Sequence, residues 1–581
     1  MAPGFLSFNL PVGKKVLIGF CFLLLIVLGT MALSWNAIPA GPGSESANGG
    51  IHVRILAVND FHGQLPAGKS LDNEPVGSIP VLASYLRAAI SKGTPAAVFI
   101  ALPGDVVGAS PPESGLLLDE PAILFFNGFA NDCCGQGFRG CSASCNMIAG
   151  FGNHEFDKGT TELLRKINGG DGTTTITHIS DPYPGALAAY VCSNIVWKAN
   201  GTLIAPPYVI RNGGGAKIAF IGADTVNTVS LEMPENVQDV TFLNESESIN
   251  RYIPEIQNLG VHAIVVLLHE GGSQIAYEGP TRPGGDVTGR VKDIVAGLDP
   301  DVDVVLSGHT HMFTNAYLDN TGGKPVLVTQ AYSYGQAFAE LDLLIDPVTG
   351  EITGKTARIV PDFADRSPGT TPDLRATAFL MEDERVISSQ TGRVIAVAAT
   401  DITRTQNPAG ESALGDLVAD SQRYAVAADI GFIPMGSLRA DILPGNVTWG
   451  NLYSVQPFSD TIETMTLSGS QIKAVLERQW QAPLPPHTLG VSGLTYTYNE
   501  TLPAGSRIVG IRLGDAPLEE DKMYRVALVD YLASGSDGYT TFKDGTNVEN
   551  GPSDLDALVG YLGSLPQPVK MAGEPRIVRI C

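Results

Sequence analysis

"IHVRILAVNDFHGQL", residues 51 to 65, opens as a short apolar run and closes on Asn59, Asp60, His62 and Gly63. A buried strand that delivers polar groups at its end reads this way. The pattern returns in "AAVFIALPGD" (96–105), "AIVVLLHEGG" (263–272) and "VDVVLSGHTH" (302–311). "KIAFIGAD" (217–224) is a further apolar run but lacks the closing cluster. Helix-like stretches separate these runs, among them "SIPVLASYLRAAISK" (78–92) and "ESINRYIPEIQNLG" (247–260). Strand alternating with helix predicts a layered α/β domain, with its sites on the loops at strand ends.

The chain has 581 residues, too many for one core, so two to four domains are expected. A second α/β pattern begins at "RVIAVAATDITR" (393–404) and continues through "ESALGDLVADSQRYAVAADIGFIP" (411–434). Between the halves, "DFADRSPGTTPDL" (362–374) reads as a linker and "LRATAFLMEDERVISSQTG" (374–392) as a helix. The expected division is a leader over 1–50, a first domain over 51–365, a linker and connecting helix over 366–395, and a second domain over 396–581.

The net charge of −23 argues against a broad grip on a nucleic-acid polymer. An anionic substrate would need local cations, and bound metal ions are one source. Near the N-terminus, Lys14 and Lys15 precede about eighteen mostly apolar residues, Val16 to Leu33. Both a cleaved signal peptide and a retained membrane anchor fit that length, and both send the rest of the chain outside the cytoplasm. Six cysteines follow the leader, an even number suited to an oxidising compartment. The cluster "DCCGQGFRGCSASCN" (132–146) lacks the paired spacing of a zinc site, which favours disulfides of undetermined connectivity.

Five separated stretches supply ligand-type residues. "NDFHG" gives Asp60 and His62, "PGDVVG" gives Asp105, "GNHEFD" gives Asn153 and His154, "LLHEGG" gives His269, and "SGHTH" gives His309 and His311. Each alone has a structural explanation as a turn former, a helix cap or a hydrogen-bonded core residue. Together they are less easily dismissed, because five of the nine histidines stand at predicted strand ends beside glycine or a carboxylate. D-x-H and H-x-H also set alternate residues on one side of an extended segment, where both can reach one ion. Mixed carboxylate, amide and imidazole donors without thiolate suit Zn²⁺, Mn²⁺ or Fe²⁺.

The order D-x-H, G-D, G-N-H-E, H, G-H-x-H resembles the calcineurin-like metallophosphoesterases, and within them "LAVNDFHGQL", "GNHEFDKG" and "SGHTH" resemble the 5′-nucleotidases. The resemblance covers roughly residues 51 to 581. It implies a four-layer α/β/β/α sandwich followed by a smaller α/β nucleotide-binding domain. It implies that Asp60, His62 and His311 bind one divalent ion, that Asn153, His269 and His309 bind a second, and that Asp105 bridges them. His154 would form a dyad with Asp157, and Glu155 would be structural. The implied activity is release of phosphate from nucleoside 5′-monophosphates by in-line attack of a metal-bridged hydroxide. Nucleoside diphosphates, UDP-sugars and 2′,3′-cyclic nucleotides are alternative substrates. A non-catalytic nucleotide-binding surface protein would be expected to have lost a ligand, and none of the seven is missing.

In the second half, "GSLRADILPGNVTWGNLYSVQPFSDTI" (436–462) and "VALVDYLASGSDGYTTF" (526–542) resemble the C-terminal domain of the same family. There Phe458 and Tyr531 would sandwich the base, Asp537 would accept from the ribose, and Arg439 would meet phosphate, with Arg404 as a second cation. "PMGSLR" departs from the family pattern, because Pro434 stands where relatives have asparagine and Ser437 where they have glycine. Proline has no amide side chain and no backbone donor, so a contact to base or ribose is lost. With metals and aromatic pair in different domains, the family implies a closing motion hinged near residues 362 to 395.

Overall fold

The computed structural model describes residues 49–135, 137, 142–170, 182–481, 488–571 and 574–580. The apolar leader segment, Cys141 and Cys581 lie outside them. Among the described residues, no helix is long and apolar enough to cross a membrane.

The apolar runs are strands, and they fall into two sheets. Six strands form the first, in the order Ile352–Pro361, Ala337–Ile345, Ile51–Ala57, Ala97–Leu102, Met147–Ala149 and Ala189–Tyr190. Ile51–Ala57, Ala97–Leu102, Met147–Ala149 and Ala189–Tyr190 run parallel to one another. Seven strands form the second, with parallel Ala216–Asp224, Ala263–His269 and Val304–Ser307 at its centre. The inner faces meet in one apolar layer that includes Val53, Ile55, Phe99, Phe220, Val265 and Leu306. Phe99 and Phe220 touch across it with ring centroids 5.4 Å apart, and burial of each ring contributes about 1.5–3 kcal/mol. Separate apolar layers with helices cover the two outer faces. The result is an α/β/β/α sandwich in which the parallel strands of both sheets point their C-terminal ends at one edge.

One expected helix is broken. "ESINRYIPEIQNLG" forms two short helices, Glu245–Asn250 and Ile253–Asn258, because Pro254 has no amide hydrogen to continue the first and fits only near the start of the second. The segment read as a linker is packed down. Asp373 caps helix Leu374–Thr391 by accepting from the amides of Arg375 and Ala376, and its carboxylate also pairs with Arg87. Ala376 joins the outer core of the sandwich.

The second half builds a five-stranded sheet in the order Leu489–Ser492, Ile430–Pro434, Met523–Val529, Thr461–Ser468 and Thr546–Ser553. Helix Ala413–Ala425, capped by Ser412, buries Leu414, Leu417 and Val418 in its core. Contacts between the halves converge on the strand-end edge of the sandwich. Lys158 donates to the Phe458 carbonyl at 3.3 Å, and the Ser536 hydroxyl donates to the Glu232 carbonyl at 3.4 Å.

Cysteine chemistry is partly as expected. Cys134 and Cys145 form a disulfide, whereas Cys192 is a buried free thiol 3.4 Å from the Asn194 side-chain oxygen.

Candidate metal centre and its neighbouring cavity

Each ligand-type residue sits at or just beyond the C-terminal end of a parallel strand, and the loops continue the sheet's pairing for a few residues. Asp60 N donates to Gly104 O at 3.3 Å and His62 N to Asp105 O at 2.9 Å. Glu155 binds three backbone amides, those of Gly152, Asp105 and Val106, at 2.6, 2.8 and 2.9 Å. It ties the Asp105 loop to the Asn153 loop without reaching the centre itself.

The donors gather into two groups that share one member. Donor atoms of Asp60, His62, Asp105 and His311 lie within 4.8 Å of one another, and so do those of Asp105, His269 and His309. Asp105 Oδ2 stands 3.7 Å from His62 Nε2 and 3.1 Å from His269 Nε2. The Asn153 side-chain oxygen is 3.1 Å from His309 Nδ1. Asp60, His62, Asp105, Asn153 and His269 are buried.

The way D-x-H and H-x-H converge differs from the extended geometry expected. Asp60, His62, Asp105, His309 and His311 all have left-handed backbones, with φ of 50°, 49°, 50°, 73° and 59°. Non-glycine residues avoid this region, at a cost of about 1–3 kcal/mol each where surroundings enforce it. Here the loop hydrogen bonds enforce it, and the strain aims side chains that a regular strand would send elsewhere. Close approach also explains the glycine before several of these residues. A Cβ on Gly152 would stand 2.3 Å from Asp105 Oδ1, and one on Gly104 would stand 2.5 Å from His269 Nδ1.

The residues present fit divalent ions. His62 Nδ1 faces the Gly108 carbonyl and His269 Nδ1 the Pro103 carbonyl, both at 3.0 Å, so each ring donates outward and turns a bare Nε2 inward. His269 Nε2 is buried against the Asp105 carboxylate, 3.1 Å away; burial works against its charged form, but Asp105 outweighs it and holds this imidazole well above the usual histidine pKa, unlike the three rings that follow. His62 Nε2 and His311 Nε2 stand 2.9 Å apart, two nitrogens sharing one space. Burial, followed by neighbouring cations and imidazoles, holds His62 and His311 well below the usual histidine pKa, and burial with His269 brings His309 to about 4. Neutral imidazole is the form that ligates.

His154 lies beside this centre with Nδ1 2.8 Å from Asp157 Oδ1. Asp157 is fixed in turn by the Ala109 amide at 3.1 Å. Burial works against the imidazolium, yet Asp157 and Asp105 outweigh it and His154 stands raised. Its ring stacks on Phe458, with centroids 5.9 Å apart and planes at 21°.

A cavity of about 540 Å³ runs from Asp105, Asn153, His154 and Asp157 to Phe458, Tyr531 and Asp537. Tyr531 donates its hydroxyl to Asp537 at 2.9 Å. Arg439 lines this cavity and also a neighbouring one of about 440 Å³, which Arg404 and Pro434 line as well. Arg404 does not line the first. Two residues near the centre escape a reading of the sequence. Glu232 accepts from the Asn153 amide nitrogen at 3.3 Å, which turns the amide oxygen toward His309. Tyr334 packs edge-on to His311 and tilted on His62 at 5.2 and 5.3 Å. Glu232 lies beyond "KIAFIGAD", the apolar run without a closing cluster.

Comparison with known proteins finds two families along the chain. The family described as calcineurin-like phosphoesterase matches residues 53–313, and the family described as 5′-nucleotidase, C-terminal domain, matches residues 390–544. The cell wall protein Lmo0130 of Listeria monocytogenes is 30% identical over 579 residues, covering 93% of this chain and 70% of its own. The endonuclease YhcR of Bacillus subtilis is 30% identical over 540 residues, which are 91% of this chain, and the chain spans 41% of YhcR. A 5′-nucleotidase precursor from Thermus thermophilus shares the fold with a TM-score of 0.72 at 24% identity, covering 91% of this chain and 99% of that one.

Proposed function

The chain belongs to the 5′-nucleotidase family of calcineurin-like phosphoesterases, which are hydrolases whose fold implies divalent metals, and from that premise we propose that it releases phosphate from nucleoside 5′-monophosphates outside the cytoplasm. One observation carries the reading: a single cavity joins the two donor groups to the Phe458 and Tyr531 rings across the junction of the halves.

Asp60, His62 and His311 would hold one ion, Asn153, His269 and His309 the other, and Asp105 both. Such a pair supplies Lewis acidity, activates water at neutral pH and neutralises phosphoryl oxygens. The chain's own groups do the rest. Arg439, which lines the cavity, would meet the phosphoryl charge. His154, with Nδ1 committed to Asp157, has Nε2 left to donate a hydrogen bond to a phosphoryl oxygen and a proton to the departing ribose oxygen. Phe458 and Tyr531 offer two flat rings to the base, and Asp537 accepts from the ribose. Glu232 and Glu155 hold Asn153 and Asp105 in register.

The Cys134–Cys145 disulfide and the name of the cell wall relative support an extracytoplasmic location. The acidic surface, with a net charge of −23, favours small nucleotides over polymers.

The test is a panel of AMP, ADP, UDP-glucose, a 2′,3′-cyclic nucleotide and single-stranded DNA, assayed before chelation, after it, and after return of Zn²⁺, Mn²⁺ or Fe²⁺. Metal-dependent release of phosphate from AMP, abolished in Asp105→Ala and reduced in His154→Ala, is expected. Absence of AMP turnover in the metal-replete protein would defeat the proposal.

A further inference from the structure

The cavity of about 440 Å³ shares His311, Gly436, Arg439 and Asp537 with the one assigned to the nucleotide, so the two are contiguous. Three cationic side chains gather at it. Arg404 and Arg439 line it. Lys69, on the short strand Lys69–Leu71 of a hairpin with Glu74–Val76, sets its ammonium 4.0 Å from the ring centroid of Tyr334, which also lines it. The Arg439 guanidinium stands over the same ring at 5.9 Å, and its Nε and Nη2 are buried without a hydrogen-bond partner among the described residues.

Among the described residues, two carboxylates stand with these three cations. Asp441 accepts from the Arg404 amide at 2.8 Å and lies 3.9 Å from its guanidinium, while Asp537 accepts the Tyr531 hydroxyl. Three cations against two carboxylates leave a net positive site, and the two buried Arg439 nitrogens without a partner among the described residues are costly unless an anion accepts from them. Lys69 registers the cost: burial first, then Arg404 and Arg439, bring its ammonium down to about 7.

We propose that Lys69 is the specificity-determining residue of a second anion subsite, in which it joins Arg404 and Arg439 to hold a phosphoryl group adjacent to the one that is cleaved. The subsite therefore favours nucleotides with two linked phosphates over the monophosphates that the same centre hydrolyses. Arginine supplies planar pairs of donors and lysine a compact charge, a combination that suits phosphoryl oxygens better than a base or an uncharged sugar. Pro434 in the wall adds no donor that would favour a base edge. Lys69 comes from the first half of the chain and the arginines from the second, so the subsite is complete only where the halves meet.

This inference rests on the phosphohydrolase reading above, and two measurements on the full chain separate them. In steady-state kinetics, Lys69→Ala should lower the ADP-to-AMP ratio of kcat/KM about tenfold through the KM for ADP, the low end of what a hydrogen bond to a charged group contributes. Lys69→Arg should restore the ratio. In calorimetric titrations, inorganic pyrophosphate should bind wild type more tightly than orthophosphate, and Lys69→Ala should weaken pyrophosphate about tenfold. A ratio within twofold of wild type in Lys69→Ala, failure of Lys69→Arg to restore it, or equal wild-type affinity for the two anions would overturn the inference. A protein that hydrolyses no nucleotide, yet loses pyrophosphate affinity in Lys69→Ala, would keep the subsite and refute the phosphohydrolase reading.

Discussion

Gly152→Ala adds one methyl group at a position whose backbone, at φ −123°, accepts any residue. Its effect is therefore steric alone. The new Cβ would lie 2.3 Å from Asp105 Oδ1, 2.7 Å from Asp105 N and 2.7 Å from His269 Cε1, where ordinary contact begins near 3.4 Å. Asp105 and His269 must retreat by about 1 Å, and both are held by backbone hydrogen bonds that resist it. Overpacking of this kind costs about 1–3 kcal/mol of stability, and a displacement of about 1 Å at reacting groups costs about 10²-fold in rate. The expected outcome is a fall of about 10² in kcat/KM for AMP, with a folded protein that unfolds at lower urea. Gly560→Ala is the control. Gly560 lies inside helix Asp554–Ser564 with nothing within 4 Å of an added Cβ, so it should gain about 0.5–1 kcal/mol and keep full activity. Gly152→Ala with kcat/KM within twofold of wild type would refute the reasoning.

Phe458→Ala removes one face of the proposed base sandwich and should raise KM for AMP by about 1–3 kcal/mol equivalent while hydrolysis of p-nitrophenyl phosphate, which has no base to stack, changes less; equal losses on both would remove the base-stacking role. Replacing Cys134 and Cys145 by serine opens a loop with a sequence separation of 11 and should cost about 2–3 kcal/mol in urea unfolding of the N-terminal sandwich, whereas an unchanged midpoint would show the bond to be dispensable. Lys69 stands at about 7, lowered by burial, Arg404 and Arg439 and raised by Asp441. It is charged below that pH and neutral above, so the ADP-to-AMP ratio of kcat/KM should fall as pH rises from 6 to 9 and stay level in Lys69→Arg. A wild-type ratio independent of pH would contradict this.

Much of the sandwich could be read from the sequence because buried parallel strands are apolar runs, and the site because its ligand types stand where those runs end. What lay hidden depends on geometry that spacing does not encode. Asp60 and His62 meet through left-handed turns rather than an extended strand, since loop hydrogen bonds override the local backbone preference. Glu155 sits inside the quoted motif, but that it gathers three amides from two loops appears only when the loops are brought together. Glu232 and Lys69 are ordinary charged residues in sequence, and they gain meaning only from Asn153 and Tyr334, which are distant along the chain. Pro254 was legible as a helix breaker, yet the amphipathic pattern around it reads through the break.

The central claim is that seven side chains, with Asp105 shared between their two groups, hold a pair of divalent ions on which hydrolysis depends. Elemental analysis of the purified, active full-length chain, alongside Asp105→Asn, tests it most directly. Two transition-metal ions per wild-type chain are expected, with fewer than one and a matching loss of AMP turnover in the variant. A fully active protein containing no metal would contradict it.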